Sequence, residues 1–282
     1  MAADKGGSAV ATSLLLRKNV SNLSGPELAA LRDAYAKMMK ITDNRGYNYW
    51  SGIHGVPQWF CWHHGRIGNG SNAQPVDLFL PWHRAYLILL EHTMRDQNAG
   101  AAIPWWDWTS LESHTIGVPK AFADKSAGGK PNPLRQAHIK VPPQFNRTTR
   151  RFPGSPSDLP APGEVQALLA LSSFSDFTSQ VQDIHDRIHG WTGGMGVVGG
   201  KQVGGDMGTI STAAFDPIFY SHHCMIDRIW YLWQLQHGQN NIPSTYLGMT
   251  LTPFPLKVQD VLNIHSLGYE YASASAEVTV HA

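Results

Sequence analysis

The sequence predicts a mainly α-helical protein, and three observations predict it. Apolar residues recur at helical spacing in several long segments, helix-start signals precede them, and strand-like alternation is confined to the tail. The first segment, SGPELAALRDAYAKMMKI, opens with Ser24 and Glu27 at capping-box spacing. Leu28, Leu31, Tyr35 and Met38/Met39 then form one stripe, so a helix is expected over 25–40. NRGYNYWSGIH reads as a shorter helical stretch closed at His54, because Gly55 and Pro57 follow. Arg84–Asn98 reads as a second long helix, entered at His83 after Leu80-Pro81. Glu164–Leu171 is a short helix and Phe174–His189 a longer one. Asp216–His237 is the last, with Asp216-Pro217 as its start signal. Gly117–Gly163 and the glycine-rich Gly193–Gly208 read as irregular, and EYASASAEVTVHA alternates enough for a short strand. No repeat of fixed period and no linker interrupts the chain, so residues 1–282 are read as one domain with minor β structure near the termini.

Composition narrows the function classes. Hydrophobic residues make up 42 % of the 282, charged residues 15 %, and the formal net charge is +1. That balance leaves no electrostatic footprint for nucleic acid or an anionic membrane. Apolar runs as short as Tyr86–Leu90 cannot span a bilayer. At the N-terminus, Lys5 is followed by glycines and the apolar run is only Leu14–Leu16, which is no signal-peptide plan. The chain is read as cytoplasmic; a secreted form with its leader removed is the alternative. Cys61 and Cys224 make no disulfide framework.

The 14 histidines are the unusual feature, and they cluster. His185 and His189 are four apart in HDRIH, so both imidazoles leave one helix face and can share a metal. His223, on the following helix, supplies a third. Three neutral imidazoles with an open position suit Cu, Zn, Fe or Ni. His54, His63 and His83 form a looser trio from separate elements. Two trios on facing helices point to a dinuclear site in a helix bundle. A solvated face or a satisfied core remains the rival reading for any one histidine pair.

At this point the residues resemble a known family. FLPWHRAYLILLE (Phe79–Glu91) and FDPIFYSHHCMIDRIW (Phe215–Trp230) resemble the two copper motifs of tyrosinases, catechol oxidases and molluscan haemocyanins, the type 3 copper proteins. GIHGVP, PWWDW (Pro104–Trp108), HDRIHGWTGG (His185–Gly194) and GYEY (Gly268–Tyr271) agree in order, so the resemblance covers about residues 47–271. It implies a four-helix bundle housing two copper ions, with O2 as co-substrate. Copper A would be held by His54, His63 and His83, and copper B by His185, His189 and His223. His223 is chosen over His222 because the family's ligand precedes the aspartate, here Asp227, by four residues. A Cys-x-His motif picks His63 over His64 and implies a thioether between Cys61 and His63; a buried cysteine without the cross-link is the rival. His63 and His83 stand twenty apart, wider than the family's usual spacing, and the polar RIGNGSNAQPV between them reads as an insertion.

The resemblance further implies oxidation of o-diphenols to o-quinones, with O2 reduced to water. Hydroxylating a monophenol also needs a base for a proton with a pKa near 10. Where the family often has a base-orienting glutamate, three residues before His185, this chain has Gln182, which cannot ionise. Asp186, after His185, is read as a proton acceptor or as an ion-pair partner of Arg187; Asp183 is another carboxylate near by. Ile210, thirteen residues before His223, matches the family's gate over copper A, with ordinary core packing as the rival.

Other residues receive structural readings. Asp107 and Asp227 hold ligands or helices in place, and His64 and His222 flank ligands. His92, His114, His138, His237, His265 and His281 are expected at the surface. Trp59, Trp62, Trp82, Trp105, Trp106 and Trp108 are expected to pack the core around the site. Arg17 is read as stacking on the Tyr269/Tyr271 region.

Three rival functions accompany this reading. An oxygen carrier shares the motifs but covers the site with an extra domain, and the chain ends about eleven residues after GYEY, so neither a covering domain nor a cleavable lid is expected. Reversible O2 binding without turnover would mark it. A dizinc or diiron hydrolase would use carboxylate ligands, which the all-histidine motifs lack. An o-aminophenol oxidase would use the same centre. The expected partners are small phenols; a copper chaperone and the oligomeric state are left open.

Overall fold

The computed structural model describes residues 14–55, 61–62, 76–141 and 145–273. Strand β1 (Leu15–Arg17) precedes helices α1 (Gly25–Met38), α2 (Tyr47–Ile53) and α3 (Phe79–Gln97). Short helices α4 (Leu111–Ile116) and α5 (Lys120–Ala123) lead into the two-residue strands β2 (Ser126–Ala127), β3 (Lys130–Pro131), β4 (His138–Ile139) and β5 (Arg147–Thr148). Helices α6 (Pro162–Leu169) and α7 (Phe174–Gly193) follow, then strands β6 (Met195–Val198) and β7 (Lys201–Gly204). Helix α8 (Ile210–Ala213), helix α9 (Ile218–His237) and strand β8 (Tyr269–Tyr271) complete the order. The fold is mainly helical, as its sequence predicts.

Helix α3 is central and lies against α1, α7 and α9. Its faces are almost wholly covered: Phe79, Trp82, Ala85, Tyr86, Leu87 and Leu90 are all buried. Helix α1 starts where its capping box predicts. Ser24 Oγ accepts from the Glu27 amide, and the Ser24 amide donates to Glu27 Oε2 at 2.8 Å. In α7, Phe174, Phe177, Val181, Ile184 and Ile188 share the inward stripe with His185 and His189. Burial of that stripe turns the two imidazoles into the bundle rather than into water.

Strands β1 and β8 pair in parallel, with Leu15 opposite Tyr269 and Arg17 opposite Tyr271. Strand β8 touches only the first two residues of the segment in which a tail strand is expected, and residues 274–282 of that segment lie outside the described residues. Helix α3 begins at Phe79, before the expected entry at His83. Pro81 sits in its first turn, where the missing N–H has no intrahelical partner to lose. The stretch read as irregular over Gly193–Gly208 contains an antiparallel hairpin, β6–β7. Gly199 and Gly200, at φ of 56° and 77°, form the two-residue turn that such a hairpin requires. Asp216 does not open α9 as part of the helix. Its carboxylate caps the Ile218 amide at 3.2 Å and pairs with Arg151. No helix among the described residues is long and apolar enough to cross a membrane.

Candidate metal centre

Four helices each bring imidazole to one buried point. His54 caps the C-terminus of α2, His83 lies one turn into α3, His185 and His189 lie on α7, and His222 and His223 lie on α9. Two groups have ligand atoms within 4.8 Å of one another: His185, His189, His222 and His223, and His54, His83 and His223. His223 belongs to both. Neither group contains a carboxylate, a donor set that suits copper or zinc rather than magnesium or calcium.

Backbone carbonyls fix the rings. His83 Nδ1 donates to Phe79 O at 2.8 Å, one helical turn back. His189 Nδ1 donates to Met207 O at 2.7 Å, and His54 Nδ1 to Ile210 O at 3.1 Å. A carbonyl oxygen can only accept, so each of these Nδ1 atoms carries the proton and each Nε2 presents a lone pair. His185 Nδ1 makes the equivalent bond to the Asp186 carboxylate at 2.8 Å. The Nε2 atoms of His185 and His189 stand 3.2 and 3.3 Å from His223 Nε2. A neutral His223 has one proton to give and cannot satisfy both. Imidazole nitrogens converging in a buried interior with more lone pairs than protons are a metal's donor set, and oriented imidazoles of this kind typify metal sites.

Burial keeps these rings neutral, the form that binds metal. It lowers His83 to a pKa of about 3 and His189 to about 4. Burial, and then the neighbouring imidazoles, push His222 and His223 well below the usual histidine value. Phe79 and Phe219 form the apolar walls: the Phe79 ring lies 4.5 Å from His83 and 4.8 Å from His185, and Phe219 lies 4.7 Å from His54 and 4.1 Å from His223, between centroids. Gly55 is required beside His54. A Cβ there would meet Ile210 O at 2.9 Å, the same carbonyl that holds the His54 ring.

Residues 44–236 match the family model described as the common central domain of tyrosinase. The chain belongs to the tyrosinase family. Among curated relatives, hemocyanin units G and H of Sepia officinalis are 29 % identical over 291 residues, covering 94 % of this chain and 47 % of that protein. Hemocyanin A-type units Ode to Odg of Enteroctopus dofleini are 30 % identical over 284 residues, covering 91 % of this chain and 22 % of that protein. The chain thus spans less than half the length of these relatives. Among solved structures, a functional unit of octopus hemocyanin matches with a TM-score of 0.73 at 27 % identity, over 92 % of this chain and 68 % of that one. Tyrosinase from Burkholderia thailandensis shares the fold with a TM-score of 0.75 at 22 % identity, over 95 % of this chain and 76 % of that one. Tyrosinase-family proteins bind a dinuclear copper site, and the histidine groups of this chain fit such a site.

Against the sequence expectations, His54, His83, His185, His189 and His223 come together as one centre. His63, His64, Trp59 and most of the RIGNGSNAQPV segment lie outside the described residues. Cys61 is buried, its amide 3.3 Å from His54 O, so the chain does return from α2 beside the centre. Gln182 is fully buried and donates to Thr178 O at 3.2 Å. Asp186 holds the His185 ring, while Arg187 pairs with Glu164 at 2.6 Å instead. Ile210 packs partly buried against the core, and its carbonyl holds His54. Trp62, Trp82, Trp105, Trp106 and Trp108 are core residues. Two of the histidines expected at the surface are half-buried: His114 and His237 each bond a backbone carbonyl, Pro160 O and Leu169 O.

Sequence reasoning missed two things. The carbonyls of Phe79, Ile210 and Met207 carry no side-chain signature; only Phe79, four residues before His83, was findable once the helix start was known. The sequence makes His222 a neighbour of a ligand, yet it is fully buried, within the four-histidine group, and neither ring nitrogen has a hydrogen-bond partner among the described residues.

Proposed function

We propose that the chain is a dicopper oxidase that converts o-diphenols to o-quinones. The observation that carries the proposal is His223, shared by both histidine groups. His54, His83 and His63 would hold one copper, and His185, His189 and His223 the other. The copper pair supplies O2 binding and the two-electron capacity that the oxidation requires. The protein's own part is to hold neutral imidazoles by their Nδ1 protons, keep water out with Phe79 and Phe219, and set access beside Ile210. Cys61 is proposed to carry a thioether to His63, seen as an intact mass two hydrogens below the reduced chain; two titratable thiols on copper-loaded protein would refute it.

Diphenol oxidation is favoured over monophenol hydroxylation. Gln182 cannot take a phenolic proton, and the Asp186 carboxylate is engaged by His185. The test is O2 uptake by the copper-loaded chain, first with catechol and then with a monophenol primed by a trace of diphenol. Sustained uptake with catechol supports the proposal, and uptake beyond the primer's stoichiometry would add hydroxylase activity. The second reading, a reversible O2 carrier, is favoured by the hemocyanin relatives at 29–30 % identity. O2 binding that reverses under vacuum, with no catechol turnover, would select it.

A further inference from the structure

A second cleft, separate from the histidine centre, lies between the segments 118–136 and 149–153 and has a volume of about 380 Å³. That is large enough for one small molecule. Its walls combine two chemistries. Val118, Phe122 and Phe152 supply apolar surface, and Arg135, Arg150 and Arg151 supply three guanidinium groups; no Asp or Glu among the described residues lines it.

The three arginines are not equivalent. Arg151 is matched: it donates to the buried Asp216 carboxylate at 2.7 Å and to the carbonyls of Phe122 and Leu134 at 2.9 and 3.0 Å. Arg135 donates to the Ala123 carbonyl, which leaves its charge without a counter-ion there. Arg150 is half-buried, and its guanidinium makes no hydrogen bond to any described residue. The nearby Asp206 is already taken by Arg147 through two bonds of 2.7 and 2.8 Å. Two cationic groups therefore face an apolar-walled cleft without an anion among the described residues. The site is also anchored, because the Arg150 amide donates to Asp206 Oδ2 at 2.7 Å and its carbonyl accepts from the Asp206 amide at 2.9 Å.

We infer that this cleft binds a small aromatic carboxylate. Guanidinium groups take a carboxylate through paired, charge-assisted hydrogen bonds, and they also stack on aromatic faces. The phenylalanine walls select a ring over a bare inorganic anion. None of the lining residues belongs to the histidine groups, so the site does not depend on the proposed oxidase activity.

Photolabelling tests this on the copper-loaded chain, with 4-(trifluoromethyl-diazirinyl)benzoate as probe and peptide mapping as readout. Adducts are expected on residues 118–123, 135–136 and 149–153. Benzoate should displace the probe and neutral benzamide should not. Arg150→Ala should weaken labelling about tenfold, and Arg150→Lys by less, since one charge-assisted pair is lost or weakened. Catechol-dependent O2 uptake should be unchanged in both variants, which also reports that they are folded. Adducts confined to the histidine-bearing peptides would overturn the inference, as would equal displacement by benzamide. Displacement by inorganic phosphate as effective as by benzoate would overturn the aromatic part and leave a simple anion site.

Discussion

The same two helices build two buried polar clusters of opposite character. On α3, His83 joins the metal centre while its neighbour Arg84 joins an ion network; on α9, His223 and Asp227 divide the same way one turn apart. In the ion network every charge is answered. Asp227 accepts from Arg84 at 2.5 Å, Arg17 at 3.3 Å, Tyr269 at 2.7 Å and Tyr271 at 2.5 Å, and Glu91 takes Arg17 at 2.8 Å and the Ile103 amide at 2.7 Å. The Arg17 guanidinium also lies 3.7 Å over the Tyr269 ring, as its sequence suggested, and Arg84 lies 3.6 Å over Trp230. The histidine centre is the reverse: uncharged rings whose acceptor nitrogens face one another. Satisfaction separates the two. A closed polar network holds elements together, here β1, α3, α9 and β8, whereas converging lone pairs await a cation.

The largest expected effect tests the histidine side. His223→Phe removes the ligand common to both groups, so metal analysis should find the dinuclear pair lost and O2 uptake with catechol abolished. A variant that still binds its full copper complement would break the contrast. On the other side, Asp227→Ala leaves Arg84 buried without its anion and Arg17 with Glu91 alone. It should cost roughly 3–5 kcal/mol in chemical denaturation. Copper bound per folded molecule should stay unchanged; a stability loss within error would show the network to be dispensable.

Acidification separates the clusters by pH window. His83 and His189 have folded values of about 3 and 4, below the ordinary 6.5, so the unfolded chain binds more protons between those limits. Stability of the copper-free chain should therefore fall as pH drops below about 6.5. At Asp227, burial raises the carboxyl, but Arg84 and Arg17 outweigh it and hold it below its ordinary 3.8. Its contribution is present above that value and is lost only as pH falls through its lowered folded value. Denaturation midpoints measured from pH 7 to 3 should show the histidine loss first; a flat profile down to pH 4 would contradict it.

Smaller effects come from the edges. Asp186→Ala frees the His185 ring and should weaken copper about 10–100-fold in chelator competition, the range for an outer partner of a metal-bound imidazole. Unchanged affinity would remove Asp186 from the site. Arg187→Ala breaks an ion pair exposed on both sides and should change stability by less than about 1 kcal/mol.

Much of this was legible in the chain itself. The spacing of His185 and His189 and the capping box at Ser24 are local patterns that helical geometry turns into positions, and the resemblance of the last motif picks His223 by its distance from Asp227. The sequence places the entry of α3 after Leu80-Pro81, whereas the helix takes Pro81 into its first turn, where a proline is harmless. The hairpin after α7 is not legible in the sequence, because glycine density hides a strand pair that two turn glycines make.

The sequence by itself determined the helical class through its period, the family through the resemblance of its motifs, and five of the imidazoles that gather, because these are properties of a single chain. Tertiary structure alone decided that Ile210 and Met207 hold His54 and His189 through their carbonyls, that Asp186 turns to His185 rather than Arg187, and that Arg17 reaches Glu91 and Asp227. The Arg17 contacts reach up to 210 positions along the chain, and the Ile210 and Met207 contacts use carbonyls that every residue type possesses, so only packing could select them.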